Sequence, residues 1–403
     1  MNDEAIRLVK SSTDCSGCGA CMAVCPKQAI TMRPGENGCL YPVIDEGNCV
    51  RCGKCQHICE YAGGTAGGNL PRSVYAAAGK DADLVRNSAS GGVFATLAKS
   101  WIQAGGMVAG AVMDCGGSVK VYHVLSDKPE DVRRMQGSKY VQSDAWRCYV
   151  DVQAALKDGK RVLFSGTPCQ TAAIRALTGD PEHLITVELI CHGVPPQTML
   201  DEYVRILSKR FGGKLMDFTF REKRVPKSFC ARMDIQKGKR VRSLYLRSHE
   251  LSFYKHFLEG TIYRENCYSC PYAKQERGSD LTIGDYWGVE KYHQDDFASG
   301  AMEKRSDWSC ILVGSAKGEA LLKQHGGTMT VHPSRLEWAM AENHQLRHPM
   351  QKPASRSEVL HLYQTGGYSA VENSFIHKHG GRLRYFLRVM KQLRRNRSLI
   401  KDE

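Results

Sequence analysis

Short apolar runs alternate with amphipathic stretches through the middle of the chain. The apolar runs predict strands at residues 74–78, 107–113, 119–125, 161–165 and 184–190. Helical periodicity between them predicts helices at residues 91–103, 144–157 and 169–177. We expect Ser88 or Ser90 to start the first of these helices. The alternation of strands and helices predicts βαβ units and a sheet that contains parallel strands.

A different pattern follows this region. Polar and apolar residues alternate over 214–221, 229–236 and 239–247, and the turn signal Lys237-Gly238 lies between the last two segments. This pattern predicts an antiparallel meander. Beyond about residue 315 the pattern becomes mostly helical.

The last helical segment is strongly basic. Residues 381–397 contain seven basic and no acidic residues. Five large apolar side chains are predicted on one helical face, namely Leu383, Phe386, Leu387, Met390 and Leu393. Such a face either docks on an anionic lipid surface or an acidic protein, or packs on its own domain with the basic side in solvent. Of these we favour packing on its own domain.

The composition narrows the class of protein. A chain of 403 residues can form two or three domains, and 42% hydrophobic with 24% charged residues is typical of a globular protein. Residues 1–7 lack the apolar core of a signal peptide, and no run approaches the ~18 apolar residues of a membrane span. We therefore expect a cytoplasmic protein. The net charge of +14 favours acidic partners, but no nucleic-acid-binding motif is evident.

Cysteine spacing gives the strongest chemical signal. Nine of the 17 cysteines lie within the first 59 residues, and eight of these nine form two runs. The first run reads C-x2-C-x2-C-x3-C-P, the pattern of two-cluster bacterial ferredoxins, and the second differs only by Glu60 in place of the proline. In this pattern the fourth cysteine of each run binds the cluster of the other run. The predicted ligands are Cys15, Cys18, Cys21 and Cys59 for one 4Fe–4S cluster, and Cys49, Cys52, Cys55 and Cys25 for the other.

Zinc sites and surplus thiols are the alternative interpretations of these cysteines. Zinc sites usually carry pairs of ligands rather than runs of four, so we favour clusters. Cys39 lies between the runs and fits neither, which indicates a buried thiol.

Three further segments have the composition of ligand-binding loops. Residues 87–94 are mostly small and precede a predicted helix, where backbone amides can hold a phosphate, although serine and glycine also serve as ordinary helix caps. Residues 135–143 combine a glycine, a cation, an aromatic ring and amides, and are equally compatible with an ordinary loop. Residues 277–288 place a carboxylate and two aromatic rings after a strand, which suits either a flat cofactor or a corner of the core.

Four separated cysteines form another candidate site. Cys169 begins a predicted helix, where the helix N-terminus lowers the pKa of a thiol and favours a metal ligand or a nucleophile. Cys191 follows a predicted strand, and Cys267 and Cys270 form a C-x2-C pair. Together these four thiols suffice for a third cluster or a zinc site.

In this order, the segments resemble the beta subunits of the coenzyme F420 (8-hydroxy-5-deazaflavin) hydrogenase and dehydrogenase family, in the form with a fused N-terminal ferredoxin domain. The resemblance spans about residues 10–315. The motifs that carry it are Ser90-Gly91-Gly92, Gln136-Gly137-Ser138-Lys139-Tyr140, Gly166-Thr167-Pro168-Cys169-Gln170, Cys191-His192-Gly193, Cys267-x2-Cys270-Pro271 and residues 280–288. Residues after about 315 match no motif of the family.

The resemblance implies an FAD in a central α/β domain and a third 4Fe–4S cluster beside it. The implied cluster ligands are Cys169, Cys191, Cys267 and Cys270. The implied flavin contacts are Ser90, Gly91, Gly92, Gln136, Gly137, Ser138, Lys139 and Tyr140, with Thr167, Gln170 and Asp285 as further candidates. Lys139 is the candidate for stabilising an anionic reduced flavin or its phosphates. His192 is a candidate proton relay, although a histidine after a ligand cysteine is more often structural.

The expected fold class is α+β combined with α/β. Its parts are a dicluster ferredoxin domain at residues 1–65, an FAD- and 4Fe–4S-binding domain with a mixed sheet at 66–315, and a mostly helical extension with a basic tail at 316–403. The resemblance implies an oxidoreductase that passes electrons, in either direction, between a ferredoxin-like carrier and a two-electron organic acceptor. That acceptor is coenzyme F420 or another small molecule.

Two alternatives stay open. One is a non-catalytic electron-transfer subunit of a larger hydrogenase- or dehydrogenase-type complex, without a substrate site of its own. The other is a thiol enzyme with Cys169 as the nucleophile. A homo-oligomeric state is open as well.

Overall fold

A computed structural model describes residues 8, 11–59, 61, 67–225, 229–304 and 307–401, with side chains up to residue 397. Residues 1–7 and Glu60 lie outside the described residues. The N-terminal module, residues 11–59, holds both cysteine runs. Its elements are helices α1 (Ala20–Ala23) and α2 (Lys54–His57) and the antiparallel hairpin β1 (Ile30–Pro34) and β2 (Leu40–Ile44). One short helix follows the second cysteine of each run, so the two runs have the same local structure.

The rest of the chain contains eleven described strands. They are β3 (Ser73–Gly79), β4 (Met107–Asp114), β5 (Lys120–Ser126), β6 (Val162–Gly166), β7 (Leu184–Leu189), β8 (Lys214–Thr219), β9 (Cys230–Lys237), β10 (Arg240–Arg247), β11 (Leu281–Asp285), β12 (Ser309–Val313) and β13 (Met329–Ser334). All strands predicted from the sequence are present, with ends that differ by one or two residues.

The helices of this region cover the strands. They are α3 (Ala82–Arg86), α4 (Val93–Gln103), α5 (Pro129–Met135), α6 (Trp146–Lys157), α7 (Pro168–Thr178), α8 (Gln197–Phe211), α9 (Ser252–Leu258), α10 (Val289–Tyr292), α11 (Gln294–Ala298), α12 (Ala316–His325), α13 (Leu336–Glu342), α14 (Arg356–Lys378) and α15 (Gly381–Lys401). Helix α14 consists of two helical segments joined at Gly366 and Gly367.

Eight strands form one mixed sheet, in the order β13-β3-β12-β11-β7-β6-β4-β5. Strands β4, β6, β7 and β11 are parallel, and the strands outside them are antiparallel. The parallel core confirms the prediction made from alternating strands and helices. Because parallel strands end at the same edge, the loops after β6, β7 and β11 lie together, which is where open α/β sheets bind their ligands.

A second sheet of three antiparallel strands, β10-β9-β8, confirms the predicted meander. Its apolar face packs with α8, α9, α14 and α15 into a core of its own, which includes Phe220, Tyr254 and Tyr368. The predicted boundary at residue 315 falls within the sheet-forming part of the chain, because β13 pairs with β3. The region beyond it is otherwise helical, as expected.

Two predicted local features differ in the structure. Helix α4 begins after Gly92, whose φ of 78° lies in the left-handed region, and no described side chain caps it. The prediction that Ser88 or Ser90 caps it was wrong, because the Ser88 and Ser90 hydroxyls donate to the carbonyls of Leu84 and Trp308 instead.

The packed face of α15 also differs from the prediction. Tyr385, Val389 and Leu393 are buried against the second core, whereas Leu383, Phe386 and Leu387 are 72%, 53% and 58% exposed. Hydrogen bonds from polar side chains of α15 hold this face against the second core. The Tyr385 hydroxyl donates to the Glu250 carbonyl, Arg388 pairs with the Glu250 carboxylate and Asn396 donates to the Tyr245 carbonyl. No helix in the described ranges is both long and apolar enough to span a lipid bilayer.

Candidate functional site

The cysteines of the N-terminal module fall into two groups of four. Cys15, Cys18, Cys21 and Cys59 form the middle group. Burial raises the pKa of the Cys21 thiol, and the thiols of Cys18, Cys15 and Cys59 are close enough to raise it further. Three members come from the first run and one from the second, which is the exchange that the spacing predicts. Cys39 is buried as predicted, and burial raises its pKa to about 11.

Cys25, Cys49, Cys52 and Cys55 form the outer group. Burial raises the pKa of Cys55, and the nearby Cys25, Cys49 and Cys52 raise it further. All four line one small cavity of about 20 Å³. Cys52 is exposed to solvent, so the outer group lies at the surface of the protein.

Cys169, Cys191, Cys267 and Cys270 form the inner group. Burial raises the pKa of Cys191 to about 12, and the adjacent Cys169 and Cys270 thiols add to this shift. Burial also raises the pKa of Cys267, again with contributions from Cys191, Cys270 and Cys169. The structure therefore gathers the four cysteines that the sequence had placed in three separate segments.

The expectation that the helix N-terminus lowers the pKa of Cys169 was wrong. Burial raises that pKa, and it outweighs the opposing effects of Thr167, Ser16 and Arg264. A thiol in this setting becomes a thiolate when a metal replaces its proton.

The middle and inner groups are neighbours. Burial raises the pKa of Cys18 to about 12, and Cys169 is among the charges that raise it further. Helix α1 packs on α6 and α7, which fixes this approach. Arg264 lies between the groups, fully buried, with Cys15 and Cys267 as electrostatic neighbours, and its Nε donates to the Cys15 carbonyl at 2.8 Å.

Among the described residues, no three histidine, cysteine, aspartate or glutamate side chains form a group that could hold one metal ion.

A cavity of about 300 Å³ lies at the carboxyl ends of β6, β7 and β11. Cys191 of the inner group lines it directly. The predicted flavin contacts and candidate catalytic residues that line it are Ser90, Gly92, Gln136, Gly137, Ser138, Lys139, Tyr140, Thr167, Gln170, Asp285 and His192. Gly91 instead packs against β3 and β12, where a Cβ atom would lie 2.5 Å from the Ala77 carbonyl oxygen.

The side-chain donors of several predicted contacts are already used within the protein. The Gln136 amide donates to the Leu84 carbonyl and the Ser88 hydroxyl. The Lys139 ammonium donates to the carbonyls of Arg134, Met135 and Gln136 at 2.8–3.0 Å, which closes the C-terminal end of α5. Burial lowers the pKa of Lys139 to about 7. Lys139 therefore shapes this wall of the cavity.

Thr167 and Gln170 form a capping box at the start of α7, which positions Cys169 between them. The Thr167 amide donates to Gln170 Oε1 at 3.1 Å, and the Thr167 hydroxyl lies 3.1 Å from the Cys169 sulfur. The predicted contact residues thus also organise the inner cysteine group.

His192, a candidate proton relay for which the sequence favoured a structural role, follows Cys191 in the cavity wall. Burial, with a smaller effect of His344, lowers the pKa of His192 to about 4, so its ring is neutral near pH 7. Its Nδ1 lies 2.6 Å from the Gln345 amide nitrogen, which donates to it. This contact leaves the ring proton on Nε2.

Comparison with known families follows the same division of the chain. The models of the coenzyme F420 hydrogenase/dehydrogenase beta subunit match residues 74–147 with its N-terminal part and 159–335 with its C-terminal part. Together they span more than half of the chain. The chain belongs to this family of beta subunits. A 4Fe–4S dicluster domain matches residues 14–62, so the beta-subunit region is preceded by a 4Fe–4S-binding domain.

Proteins similar to this chain include two sequence relatives and one solved structure. A subunit of the F(420)H(2) dehydrogenase of Methanosarcina mazei is 27% identical over 216 residues, which are 48% of this chain and 58% of that relative. An uncharacterized protein of Methanocaldococcus jannaschii is 23% identical over 347 residues, 77% of this chain and 86% of that protein. A structure of the F420-reducing NiFe hydrogenase complex from Methanosarcina barkeri matches with a TM-score of 0.42 and 14% identity, over 77% of this chain and 93% of that one.

The beta-subunit region contains two cavity residues that the sequence did not single out. Arg221 follows β8, donates to Asp285 Oδ2 at 2.9 Å, and lies over the rings of Phe229 and Trp287. An arginine in an alternating strand carries no motif, so only the fold shows that it reaches the cavity.

The second is His123, on β5. Its Nε2 lies 3.0 Å from the Ser165 carbonyl oxygen, and its ring stacks on Phe164 at a centroid distance of 5.3 Å. Burial lowers its pKa to about 4, so the ring is neutral and Nε2 carries the proton. Its Nδ1 is buried and has no hydrogen-bond partner among the described residues. This acceptor is suited to a hydrogen bond from a bound molecule.

Proposed function

We propose that this chain is an iron–sulfur flavoprotein oxidoreductase. It passes electrons between a one-electron carrier protein such as ferredoxin and a two-electron organic acceptor. The observation that carries this proposal is the order of the sites: the outer group is exposed at Cys52, the middle group adjoins the inner group through Cys18 and Cys169, and the inner group borders the cavity at Cys191.

The two kinds of cofactor have complementary chemistry. Iron–sulfur clusters move single electrons, whereas a flavin exchanges single electrons and hydride. The three cysteine groups provide the ligands for three 4Fe–4S clusters, and the cavity is the candidate FAD site. The protein contributes position, exclusion of water and charge.

Three features of the cavity fit an FAD. Its volume lies at the lower end of the ~300–1,000 Å³ of ligand pockets. Gly92 and the first residues of α4, Val93 to Ala95, line it, and without a side-chain cap their amides can bind a phosphate. The unpartnered Nδ1 of His123 can accept a hydrogen bond from an N–H group of the flavin.

Charged groups surround one part of the cavity. Arg221 is held by Asp285 and approaches the Tyr140 hydroxyl at 3.4 Å. The Tyr140 ring in turn stacks on Phe257 at 4.1 Å. These contacts give a preorganised wall of one cation and several rings, which supports binding of a planar acceptor with oxygen substituents.

The test is an anaerobic purification followed by identification of the bound flavin. The protein is then reduced with ferredoxin or dithionite while acceptors are added, including coenzyme F420 and unsaturated or nitro compounds. The proposal predicts reoxidation by at least one acceptor with formation of the reduced product. A protein that binds no flavin after reconstitution would contradict it.

A second candidate is a non-catalytic electron-transfer subunit of a larger complex. The observation in its favour is that the named Methanosarcina mazei relative is itself a dehydrogenase subunit. Stable co-purification with a catalytic partner, together with no turnover by the isolated chain, would favour this candidate. Turnover by the isolated chain would favour the enzyme.

A further inference from the structure

Helix α15 leaves an apolar surface uncovered although its other side is buried. Leu383, Phe386 and Leu387, here called the exposed stripe, are 72%, 53% and 58% exposed. At 100° per residue they are centred about 110° around the helix from the buried Tyr385, Val389 and Leu393. The helix therefore presents two apolar faces, of which its own domain covers one.

Basic side chains border the exposed stripe. Arg384 and Lys391 project about 90° from Leu383, on the side away from the buried face, and Arg394 continues the stripe one turn beyond Met390. All three are exposed. Residues 381–397 contain seven basic residues and no acidic residue. One of the seven, Arg388, pairs with the buried Glu250. The surface is thus apolar at its centre and cationic at its rim.

We propose that this face of α15 docks the protein on an anionic lipid surface. A helix with leucine and phenylalanine on one side and arginine and lysine beside them lies in the interface of a bilayer, with its apolar side chains between the headgroups. A group of four to eight basic residues on such a helix is typical of attraction to anionic lipids. The charge of the helix, basic throughout, selects an anionic surface over a neutral one.

The docking helix is anchored firmly enough to carry the protein. The hydrogen bonds from Tyr385 to Glu250 and from Asn396 to Tyr245 tie it to the second sheet and its neighbouring loop. The exposed stripe can therefore enter a lipid interface without detaching α15 from the core. The stripe and its rim lie outside the cysteine groups and the cavity, so this inference is independent of the proposed function.

The test is flotation of the full-length, cluster-loaded protein with vesicles. One set consists of phosphatidylcholine, and the other of equal parts phosphatidylcholine and phosphatidylglycerol. We expect binding to the anionic vesicles that weakens with added salt, and at least tenfold weaker binding to the neutral ones.

Two triple variants separate the apolar and the charged contributions. Replacing the stripe, with Leu383→Ser, Phe386→Ser and Leu387→Ser, should weaken binding at least tenfold. The second variant replaces the rim with Arg384→Gln, Lys391→Gln and Arg394→Gln. Because each lost cation should weaken binding about fivefold, the three together should weaken it about a hundredfold. An unchanged thermal midpoint shows that each variant is folded.

Matched controls change equally exposed residues elsewhere. Val150→Ser and Val241→Ser replace valines that are 44% and 60% exposed, and Lys120→Gln, Lys157→Gln and Lys160→Gln remove three exposed charges. Both controls should bind vesicles as the unchanged protein does. Absence of vesicle binding, or binding that falls equally in the controls, would overturn the proposal. So would self-association or capture of an acidic protein that needs the stripe, if vesicles are not bound.

Discussion

The buried ion pair of Arg277 and Glu188 connects the loop after Cys270 to the central sheet. Both side chains are 3% exposed. Arg277 Nη1 also donates to the Tyr272 carbonyl at 2.7 Å, and Glu188 accepts from the Thr282 hydroxyl at 2.8 Å. The pair thus determines both the stability of the sheet edge and the position of the inner cysteine group.

Replacing Arg277 by methionine would leave the Glu188 carboxylate buried without its cation. Removing one partner of a buried pair costs about 3–5 kcal/mol. At an m-value of about 3 kcal/mol/M, this cost lowers the urea midpoint by about 1–1.7 M. We also expect less cluster at the inner group, because Arg277 no longer holds the Tyr272 carbonyl.

The assay is anaerobic urea unfolding followed by tryptophan fluorescence, with iron content measured on the same samples. The double variant Arg277→Met, Glu188→Leu removes both charges and should be more stable than Arg277→Met alone. The control is Arg72→Met, which breaks the ion pair with Glu319. Both side chains of that pair are 54% exposed, so its loss should change the free energy of unfolding by less than about 1 kcal/mol. The reasoning is refuted if Arg277→Met costs no more than Arg72→Met.

Three further predictions concern the site. Cys169→Ser should remove about four irons per chain and leave the N-terminal clusters intact, whereas Cys148→Ser, at a buried cysteine outside the three groups, should remove none; full cluster content with lost turnover would instead favour Cys169 as a nucleophile. His123 has a pKa of about 4 in the folded protein against 6.5 in the unfolded chain, so unfolding takes up a proton and stability falls as the pH drops from 6.5 towards 4. His123→Gln should therefore remove about 2 kcal/mol of the stability loss between pH 7 and pH 5, and identical pH profiles would contradict this. Lys139→Met should destabilise even flavin-free protein by about 1.5–3 kcal/mol, since three carbonyls lose their donor; unchanged stability would contradict this structural role of Lys139.

The sequence was most informative where chemistry fixes spacing. A cluster constrains its ligands to tight loops, so the cysteine runs predicted both N-terminal groups, including the exchange of Cys25 and Cys59. Strand positions were equally clear, because buried strands of a parallel sheet are short continuous apolar runs. For the inner group the residues alone left a third cluster and a zinc site both open, since Cys169, Cys191 and Cys267 meet only through the fold. The family resemblance favoured the cluster.

The features that could not be predicted depend on tertiary contacts. Both serines before α4 are suitable caps, but Trp308 and Leu84 supply other acceptors for their hydroxyls. The packed face of α15 follows from Glu250, which no periodicity of the helix itself reveals. Arg221, just after β8, and His123, on β5, reach the cavity from segments with no local motif. Leu84 lies only four residues before Ser88, but the other competing partners lie far away in sequence.

The most direct test of the central claim is the cofactor content of the anaerobically purified chain. Iron, acid-labile sulfide and flavin are measured per chain on one sample. The account predicts about twelve irons, about twelve sulfides and one flavin, as expected for three 4Fe–4S clusters beside an FAD. A content of about eight irons without flavin, unchanged by reconstitution, would contradict it.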